Sequence, residues 1–481
     1  MNTFYIENFG CRATQADGAA LERQFLDRGL ERAEAMRDAA IVVLNTCTVT
    51  EGADKDARAS IRRVRRQNPQ CRILVTGCYA QRAPEELASL PGVTWVVGNS
   101  HKHRAAEIAT FAPAFVPLSR LQQNDPAAAV ETGPNGAAMP EHPAQEAASG
   151  IFVSDIFAHT ELIAAPVFDA ANERTRPNLK VQDGCDNRCA FCVIPSVRGH
   201  SRSMQSERAI AEVKALVGAG YREVVISGIN LGRWGRDLES AVRFRQAASE
   251  SQTTKSQQRL VHLIRAILDQ TDLEKLRISS VEPMDWSDEL IDLVATSPRI
   301  AKHAHVPLQS ASDAVLRRMH RKYRPWHYRE KILKIRAAMP FAAIGADVMV
   351  GFPAETEAEF AATRGMVEEL PFTYLHVFTY SERPGTAAAT SPSQVPMSVA
   401  RERNRILREF AAQKNAAFRQ SLVGNVIEAI TLQHGTSEYT DGLTDNYLKV
   451  RVIGQFSSNR WLRVRIEGSD GGALIGRALG D

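Results

Sequence analysis

The sequence predicts an α/β fold in three parts: an N-terminal open parallel α/β sheet, a central partial (β/α)6 barrel and a small C-terminal β-barrel. Three observations lead to this prediction. Apolar strand-like runs alternate with helix-like stretches from residue 3 to 97, and the alternation resumes from about residue 179 to 379. Short strands separated by turn residues follow a basic helix near the C-terminus. With 481 residues, 44% of them hydrophobic, the chain is long enough for several domains.

Composition shifts set the predicted domain boundaries. We place an N-terminal domain at residues 1–112, a linker or insertion at 113–170, the central barrel at 171–400, and a basic helix with the small β-barrel at 401–481. Residues 113–150 are rich in proline, alanine and glycine and lack periodicity, which is typical of a flexible linker. Residues 239–259 are polar and rich in serine and glutamine, and they indicate a surface insertion.

Composition also excludes several classes of protein. No run approaches the roughly 20 apolar residues of a membrane span, so we expect no membrane association. The N-terminus lacks a basic region followed by an apolar core, so it does not read as a secretory signal. Seven cysteines in so long a chain are too few for a disulfide scaffold, and we expect a reducing cytoplasm. The net charge of +4 permits a nucleic-acid partner without arguing for one.

The N-terminal domain carries cysteines at the ends of its predicted strands. The strands cover residues 3–8, 40–45, 72–77 and 93–97, and Cys11, Cys47 and Cys78 each follow the end of one. Because the carboxyl ends of parallel strands meet at one edge of a sheet, we expect these three thiols to form a metal cluster. The alternative is that they are small buried residues. Cys71 lies at the start of its strand, and we predict an ordinary half-buried thiol.

A second set of cysteines lies in one loop, where Cys185, Cys189 and Cys192 form a C-x3-C-x2-C array. Closely spaced thiolates of this kind are typical metal ligands. Three cysteines leave one iron of a [4Fe-4S] cluster open, and the amino and carboxylate groups of S-adenosylmethionine (SAM) can chelate that iron. The alternative is zinc with a distant fourth ligand.

The central barrel has six predicted β-α units, and its active site should lie at the carboxyl ends of the strands. We expect the polar residues at those ends to face the cysteine loop and to touch a cofactor or substrate, although each is equally typical of a helix cap. These candidates are Asn230, Ser280, Glu282, Gln309 and Asp347. His303 and His305 share a strand face. With no cysteine or acidic residue near them in the sequence, we expect packed or hydrogen-bonded histidines rather than metal ligands.

Basic and aromatic residues raise the question of RNA binding. Arginines crowd residues 58–66 and 317–324, where they indicate either a phosphate track or solvated helix faces. A basic helix is predicted at 398–419, strands at 426–432, 447–453 and 461–466, and a turn at 442–447. Small β-barrels of this kind commonly bind RNA, and the alternative is an ordinary β core with a solvated rim. The candidate RNA contacts are Tyr447, Lys449, Arg451, Trp461 and Arg463.

Taken together, these segments resemble the radical SAM methylthiotransferase family. Three cysteine motifs (residues 9–12, 45–48 and 76–78) are similar to those of its N-terminal domain, and residues 184–195 are similar to its radical SAM motif. Residues 277–283, 307–310 and 350–353 resemble its barrel strand ends. Residues 444–447 fall in what resembles its C-terminal TRAM domain, an RNA-binding barrel. The resemblance covers nearly everything except the two insertions.

The resemblance implies two [4Fe-4S] clusters and SAM as cofactors. The cluster on Cys185, Cys189 and Cys192 would cleave SAM, and the resulting radical would attack C2 of a modified adenosine. The cluster on Cys11, Cys47 and Cys78 would deliver a sulfur that is methylated by further SAM. The resemblance implies the anticodon stem-loop of tRNA as the partner and an electron donor such as flavodoxin or ferredoxin. We expect a monomer.

Members of this family differ in substrate. Residues 11–17 and 321–323 most resemble the branch that converts N6-threonylcarbamoyladenosine at tRNA position 37 to its 2-methylthio derivative. The alternatives are isopentenyladenosine in tRNA and an aspartate of a ribosomal protein. A non-catalytic RNA-binding protein with structural zinc is the alternative from another class.

Overall fold

The computed structural model describes residues 3–110, 150–159, 162, 176–238 and 259–480. Most of the predicted linker at 113–170 and nearly all of the predicted insertion at 239–259 lie outside the described residues. The chain divides into two compact units. The first comprises Met1–Gly10, Leu21–Thr48 and Gly52–Ile156, and the second comprises Cys11–Ala20, Val49–Glu51 and Phe157–Asp481.

The first unit is built on a 6-stranded parallel sheet with the strand order β2-β1-β3-β4-β5-β6. Its strands are β1 (Thr3–Asn8), β2 (Glu31–Arg32), β3 (Ile41–Thr46), β4 (Arg72–Gly77), β5 (Val93–Val97) and β6 (Ile151–Phe152). The short strands β2 and β6 were not predicted. The helices are α1 (Arg12–Asp27), whose first half belongs to the second unit, α2 (Glu51–Gln67), α3 (Cys78–Arg82), α4 (Pro84–Ala88) and α5 (Ala105–Thr110).

Hydrophobic residues cover both faces of this sheet, which explains the continuous apolar run in β3. Val42 and Leu44 pack in one core with Ile61 of α2. Ile41 and Val43 pack in a second core with Phe25 of α1. Because successive residues of a strand point to opposite faces, a strand buried on both sides must be apolar at every position.

The second unit contains the predicted partial barrel. Its parallel strands are β7 (Asn178–Asp183), β9 (Glu223–Gly228), β10 (Lys275–Ile278), β11 (His303–His305), β12 (Ala343–Val350) and β13 (Tyr374–Thr379). They form two sheets, β10-β9-β7-β8 and β11-β12-β13, in which the short β8 (Arg202–Ser203) is antiparallel. Backbone hydrogen bonds link β10 to the chain before β11, including Ala301 N–H to Leu276 O at 2.9 Å.

Helices between these strands form the outer layer. They are α6 (Ile194–Arg198), α7 (Ser206–Gly218), α8 (Leu260–Gln270), α9 (Asp288–Thr296), α10 (Asp313–Arg318), α11 (Pro325–Ala338) and α12 (Glu357–Glu369). Thr356 and Glu359 form a capping box that fixes the start of α12. The main core takes alternate strand residues, such as Leu179 and Val181 of β7 and Leu276 and Ile278 of β10. The intervening residues, which include Lys180 and Arg277, therefore point to the inner side of the barrel.

The C-terminal part begins with α13 (Met397–Ser421), close to the predicted helix at 398–419. A closed barrel of order β14-β15-β16-β18-β17 follows. Its strands are β14 (Val426–Gly435), β15 (Tyr439–Thr444), β16 (Lys449–Ile453), β17 (Trp461–Asp470) and β18 (Ala473–Ala478). The strands β15 and β18 were not predicted. Its turn at 442–447 was partly wrong, because residues 442–444 belong to β15 and the chain turns only after Thr444.

Candidate active site

The cysteine loop begins directly after β7. Gly184 has φ = +71°, and a Cβ atom there would lie 1.9 Å from the backbone oxygen of His200. Only glycine fits this position without movement of the backbone. Cys185 N–H then donates to Gly199 O at 3.1 Å, so the loop is closed against the end of α6.

Several N–H groups point at sulfur atoms of this loop. Cys185 Sγ accepts from the backbone N–H of Asn187 at 3.4 Å and from Nδ2 of Asn230 at 3.6 Å. Cys189 Sγ accepts from Nη1 of Arg321 at 3.3 Å. Hydrogen bonds and positive charge at sulfur stabilise thiolates and tune the potential of the cluster that they hold. The donor set therefore fits a [4Fe-4S] cluster bound by thiolates.

The thiols of the loop are partly shielded from water. Burial raises the pKa of Cys185 and raises the pKa of Cys192 to about 12. At neutral pH the metal-free loop therefore keeps these sulfurs protonated. Since thiolates are the metal ligands, metal binding must release those protons and its affinity must increase with pH.

Arg321 joins the loop to the strand ends. Its guanidinium pairs with the carboxylate of Glu282 and lies beside Tyr323. Burial disfavours the charged guanidinium, but Tyr323 and Glu282 outweigh burial and raise the pKa of Arg321 well above its usual value. A small pocket opens at this point. It is lined by Asn187, Cys189, Arg233, Glu282, Met284, His320, Arg321, Lys322 and Tyr323.

The predicted strand-end residues occupy different surroundings. Asn230 contacts the cysteine loop directly, and Glu282 reaches it through Arg321. Ser280 is exposed. Gln309 has φ = +61°, and its backbone N–H donates to Asp347 O at 2.8 Å. Asp347 has its carboxylate between two histidines rather than at the cysteine loop.

The expectation for His305 needs a correction, because an acidic partner is present. His305 Nε2 lies 3.2 Å from Asp347 Oδ1, and His376 Nδ1 lies 3.2 Å from the same oxygen. Residue spacing did not indicate this contact, since the three residues lie on three separate strands. Burial alone would raise the pKa of Asp347, but the two histidines outweigh it and hold this pKa below its usual range. His303 is buried, and burial together with Arg277 keeps its pKa well below the usual value.

A buried ionic network lies beneath the cysteine loop. Lys180 pairs with Asp17 and lies 2.8 Å from Asp183, and Arg198 lies 2.9 Å from each of these carboxylates. Burial would raise the pKa of Asp183, but Arg198 and Lys180 outweigh it and hold this pKa well below its usual range. Asp183 also accepts from Gly184 N–H at 2.8 Å. The network thus fixes the start of the loop and holds the segment that begins at Cys11 against β7.

In the first unit, Cys47 and Cys78 follow paired strand ends, because Thr46 of β3 lies opposite Gly77 of β4. A Cβ on Gly77, whose φ is +102°, would lie 2.2 Å from Thr46 O, so glycine permits this close approach. Both cysteines are buried, and Asn99 Nδ2 lies 3.6 Å from Cys78 Sγ. In the second unit, Cys11 is exposed and its Sγ lies 3.6 Å from Thr14 Oγ1.

Cys71 directly precedes β4, at the opposite end of that strand from Cys78, and is buried rather than half-buried. Burial raises the pKa of its thiol. Its position agrees with the expected role of an ordinary buried thiol.

The two arginine-rich segments are largely occupied by internal contacts. Arg58 pairs with Glu86, Arg63 with Glu7, Arg317 with Asp313 and Arg318 with Glu359. Among the candidate RNA contacts, Tyr447 packs under the guanidinium groups of Arg12, Arg176 and Arg277. Trp461 packs under Lys275, whereas Lys449 and Arg463 are exposed. The exposed basic residues of the barrel thus remain available to a polyanion.

Comparisons with known proteins match both the N-terminal sheet and the partial barrel. Residues 3–98 match Uncharacterized protein family UPF0004, and residues 179–367 match the Radical SAM superfamily. The threonylcarbamoyladenosine tRNA methylthiotransferase MtaB of Bacillus subtilis is 35% identical over 454 residues, which are 94% of this chain and 90% of the relative. The MtaB of Aquifex aeolicus is 32% identical over 96% of this chain and 99% of the relative. This chain belongs to the radical SAM tRNA methylthiotransferases.

A second kind of family member is also similar. A tRNA-2-methylthio-N(6)-dimethylallyladenosine synthase of Mycobacterium sp. is 32% identical over 89% of this chain and 76% of the relative. As a radical SAM tRNA methylthiotransferase, the protein is an enzyme that uses a [4Fe-4S] cluster and SAM. Among the described residues, no helix is both long and apolar enough to cross a membrane.

Sequence reasoning missed several residues of the site. Arg321 was noted only as part of a basic run, although it donates to Cys189, and Lys180 was not singled out. A signal was available, because polar residues alternate with apolar ones along β7, β10 and β11. In a strand that is packed on one face by helices, such alternation indicates a polar inner face.

Proposed function

We propose that the protein converts N6-threonylcarbamoyladenosine at position 37 of tRNA to its 2-methylthio derivative. One observation carries this proposal: four relatives named for that substrate match 94–98% of this chain, whereas the dimethylallyladenosine synthases match 89%. The second candidate substrate is dimethylallyladenosine, because those synthases reach a similar identity of 32–33%.

In this proposal Cys185, Cys189 and Cys192 hold the cluster that, when bound, supplies the electron for reductive cleavage of SAM. Asn187, Asn230 and Arg321 stabilise the negative charge of the sulfurs through their N–H groups. Asn230 and Glu282 lie close enough to the loop to contact SAM. For Ser280, Gln309 and Asp347, a role in cofactor binding stays a prediction.

A second [4Fe-4S] cluster on Cys11, Cys47 and Cys78 would supply the sulfur. The paired strand ends before Cys47 and Cys78, and the burial of both thiols, support this part of the proposal. The protein family supports it independently, because insertion of sulfur into an aromatic C–H bond needs a sulfur donor besides SAM.

The remaining partners complete the proposal. The anticodon stem-loop of tRNA would contact the exposed basic residues of the C-terminal barrel, such as Lys449 and Arg463. A flavodoxin or ferredoxin would deliver electrons. We further propose a monomer that works in the cytoplasm.

The substrate can be tested by mass spectrometry of nucleosides from two tRNAs. Reconstituted enzyme with SAM and dithionite is given one tRNA that carries threonylcarbamoyladenosine and another that carries dimethylallyladenosine. The proposal predicts the 2-methylthio product on the first tRNA and at least about tenfold less on the second, which corresponds to about 1.4 kcal/mol of transition-state discrimination. Product on the second tRNA alone would transfer the assignment to the dimethylallyladenosine branch.

A further inference from the structure

Three side chains outside the cysteine loop form a compact group on the inner side of the barrel. His305 lies on β11, Asp347 on β12 and His376 on β13, three strands that are neighbours in one sheet. The register places His305 opposite Gly345, and Asp347 opposite His376. The ligand atoms of all three residues lie within 4.8 Å of one another, and no other group of three in the described part of the chain meets this criterion.

The separations match those of a metal site. Each of the two ring nitrogens lies 3.2 Å from Asp347 Oδ1. Metal–ligand bonds to imidazole and carboxylate are about 2.0–2.2 Å long, so neighbouring ligand atoms around one tetrahedral ion are about 3.4 Å apart. An ion therefore fits among the three groups with only small side-chain movements.

Within the described part of the chain, His305 makes its hydrogen bond through Nδ1 and not through Nε2. Nδ1 of His305 lies 2.9 Å from the hydroxyl of Tyr374, and the same hydroxyl lies 2.7 Å from Nε2 of His303. Nε2 of His305 is buried, and within the described residues it has no hydrogen-bond partner, because its approach to Asp347 lacks hydrogen-bond geometry.

One proton arrangement that satisfies both contacts of the Tyr374 hydroxyl runs from His305 to His303. Nδ1–H of His305 donates to the Tyr374 oxygen, and the Tyr374 hydroxyl donates to Nε2 of His303. This arrangement leaves an unprotonated Nε2 on His305, 3.2 Å from a carboxylate oxygen. Two electron-rich atoms at that distance repel each other unless a cation lies between them. A hydrogen bond on the outer nitrogen of a metal-binding histidine is also the usual device that orients its ring.

We propose that His305, Asp347 and His376 bind one divalent transition-metal ion of the zinc or iron(II) class. Two imidazoles and one carboxylate are a common ligand set for these ions. The His376 side chain is 55% exposed, so the remaining coordination positions face open space. Water or an oxygen atom of a substrate would complete the coordination. This site is separate from the cysteine loop and does not depend on which adenosine the enzyme modifies.

The test measures zinc directly on the reconstituted enzyme. Wild-type protein and variants are dialysed to equilibrium against a series of Zn²⁺ concentrations, and bound zinc and iron are counted by elemental mass spectrometry. The proposal predicts that the wild type binds about one zinc per chain. Asp347→Asn and His376→Asn should each reduce the affinity for this zinc at least tenfold. Tyr374→Phe should weaken zinc binding about 10–100-fold, because it removes only the hydrogen bond that orients His305.

Controls separate loss of the site from loss of the fold. His327→Asn changes an exposed histidine on α11 and should bind zinc like the wild type. Unchanged iron content and circular dichroism show that a variant is folded, and Tyr374→Phe is the conservative change if an Asp347 variant fails that check. The proposal is overturned if the wild type binds no more zinc than the folded Asp347→Asn or Tyr374→Phe protein.

Discussion

The two places where cysteines gather differ in how the fold brings them together. Cys185, Cys189 and Cys192 lie in one loop, so their spacing in the sequence alone indicates a metal site. Cys47 and Cys78 become neighbours only because β3 and β4 pair and because Gly77 lets the strand ends approach closely. The loop site therefore depends on local chain geometry, whereas the sheet-edge site depends on sheet topology.

The two places also differ in electrostatics. In the loop, Arg321 brings a full positive charge to Cys189 Sγ, and a backbone N–H and an amide N–H donate hydrogen bonds to Cys185 Sγ. At the sheet edge, the neutral amide of Asn99 faces Cys78. Cationic donors stabilise an added electron more than neutral ones. The loop is thus the better place for a cluster that must deliver electrons on demand.

The largest effect should separate the roles of the two cysteine sets. Cys189→Ala removes a ligand of the loop and should abolish cleavage of SAM to 5′-deoxyadenosine. Cys47→Ala should leave that cleavage intact and abolish only the methylthio product. Chromatography of 5′-deoxyadenosine and mass spectrometry of the tRNA nucleosides measure both steps in the same reaction. Methylthio product from the Cys47 variant would refute the division of labour between the two sets.

The next effect concerns the ionic network under the loop. Asp183→Asn leaves Lys180 and Arg198 short of one buried counter-charge and should lower stability by about 3–5 kcal/mol. The folded-state pKa of Asp183 is depressed, so its stabilisation is complete above the unfolded pKa of about 3.9 and is lost only as the pH falls below it. The thermal midpoint of the variant should therefore fall at pH 5 and at pH 7 alike.

A matched change in the same loop serves as the control for this effect. Asp186 is 61% exposed and contacts His200, so Asp186→Asn should change stability by less than about 1 kcal/mol. Equal thermal midpoints of the Asp183 and Asp186 variants would show that the buried network does not stabilise the loop.

Glycine substitutions test the backbone at the cysteine loop and the backbone at the end of β4 separately. Gly184→Ala and Gly77→Ala would place a Cβ 1.9 Å and 2.2 Å from backbone oxygens, and each should cost about 1–3 kcal/mol or more. Gly29→Ala is the control, since its φ is also positive at +77° but nothing lies within 4 Å of the added Cβ. The two test variants should melt below the control, and each should lose iron from its own cysteine set. Melting of all three at one temperature would contradict the importance of these close approaches.

The smallest effect should appear in the redox potential. Arg321→Gln removes the cation beside Cys189 and should shift the potential of the loop cluster to a more negative value. Arg317→Gln, an exposed residue paired with Asp313, should leave the potential unchanged. Potentiometric titration followed by electron paramagnetic resonance measures both proteins. Equal potentials in the two variants would show that the charge of Arg321 does not affect the potential of the loop cluster.

Much of the architecture could be predicted because it depends on short, local stretches of sequence. The strands at Thr3–Asn8, Arg72–Gly77 and Val93–Val97 agree with their predicted bounds, since each is a short run of strand-forming residues next to a turn. The strands β15 and β18 were missed because Asp441, Gly442 and Gly476 interrupt the strand pattern. Gly476 has a structural reason: a Cβ there would lie 2.6 Å from Arg465 O of the neighbouring strand.

The site was predictable only where its residues are close in sequence. The cysteine loop is such a case. The partnership of His305 with Asp347 depends on the pairing of β11 with β12, and that of Lys180 with Asp17 depends on how the segment after Cys11 packs on β7. Contacts of this kind follow from tertiary packing, which residue spacing does not encode.

Iron and sulfide content tests whether the chain carries two independent cysteine sets for two clusters. The protein is purified and reconstituted without oxygen, and the wild type is compared with a variant in which Cys185, Cys189 and Cys192 are alanine. We predict about eight irons per chain in the wild type and about four in the variant. About four irons in the wild type and none in the variant would contradict the claim and would withdraw the role given to Cys11, Cys47 and Cys78.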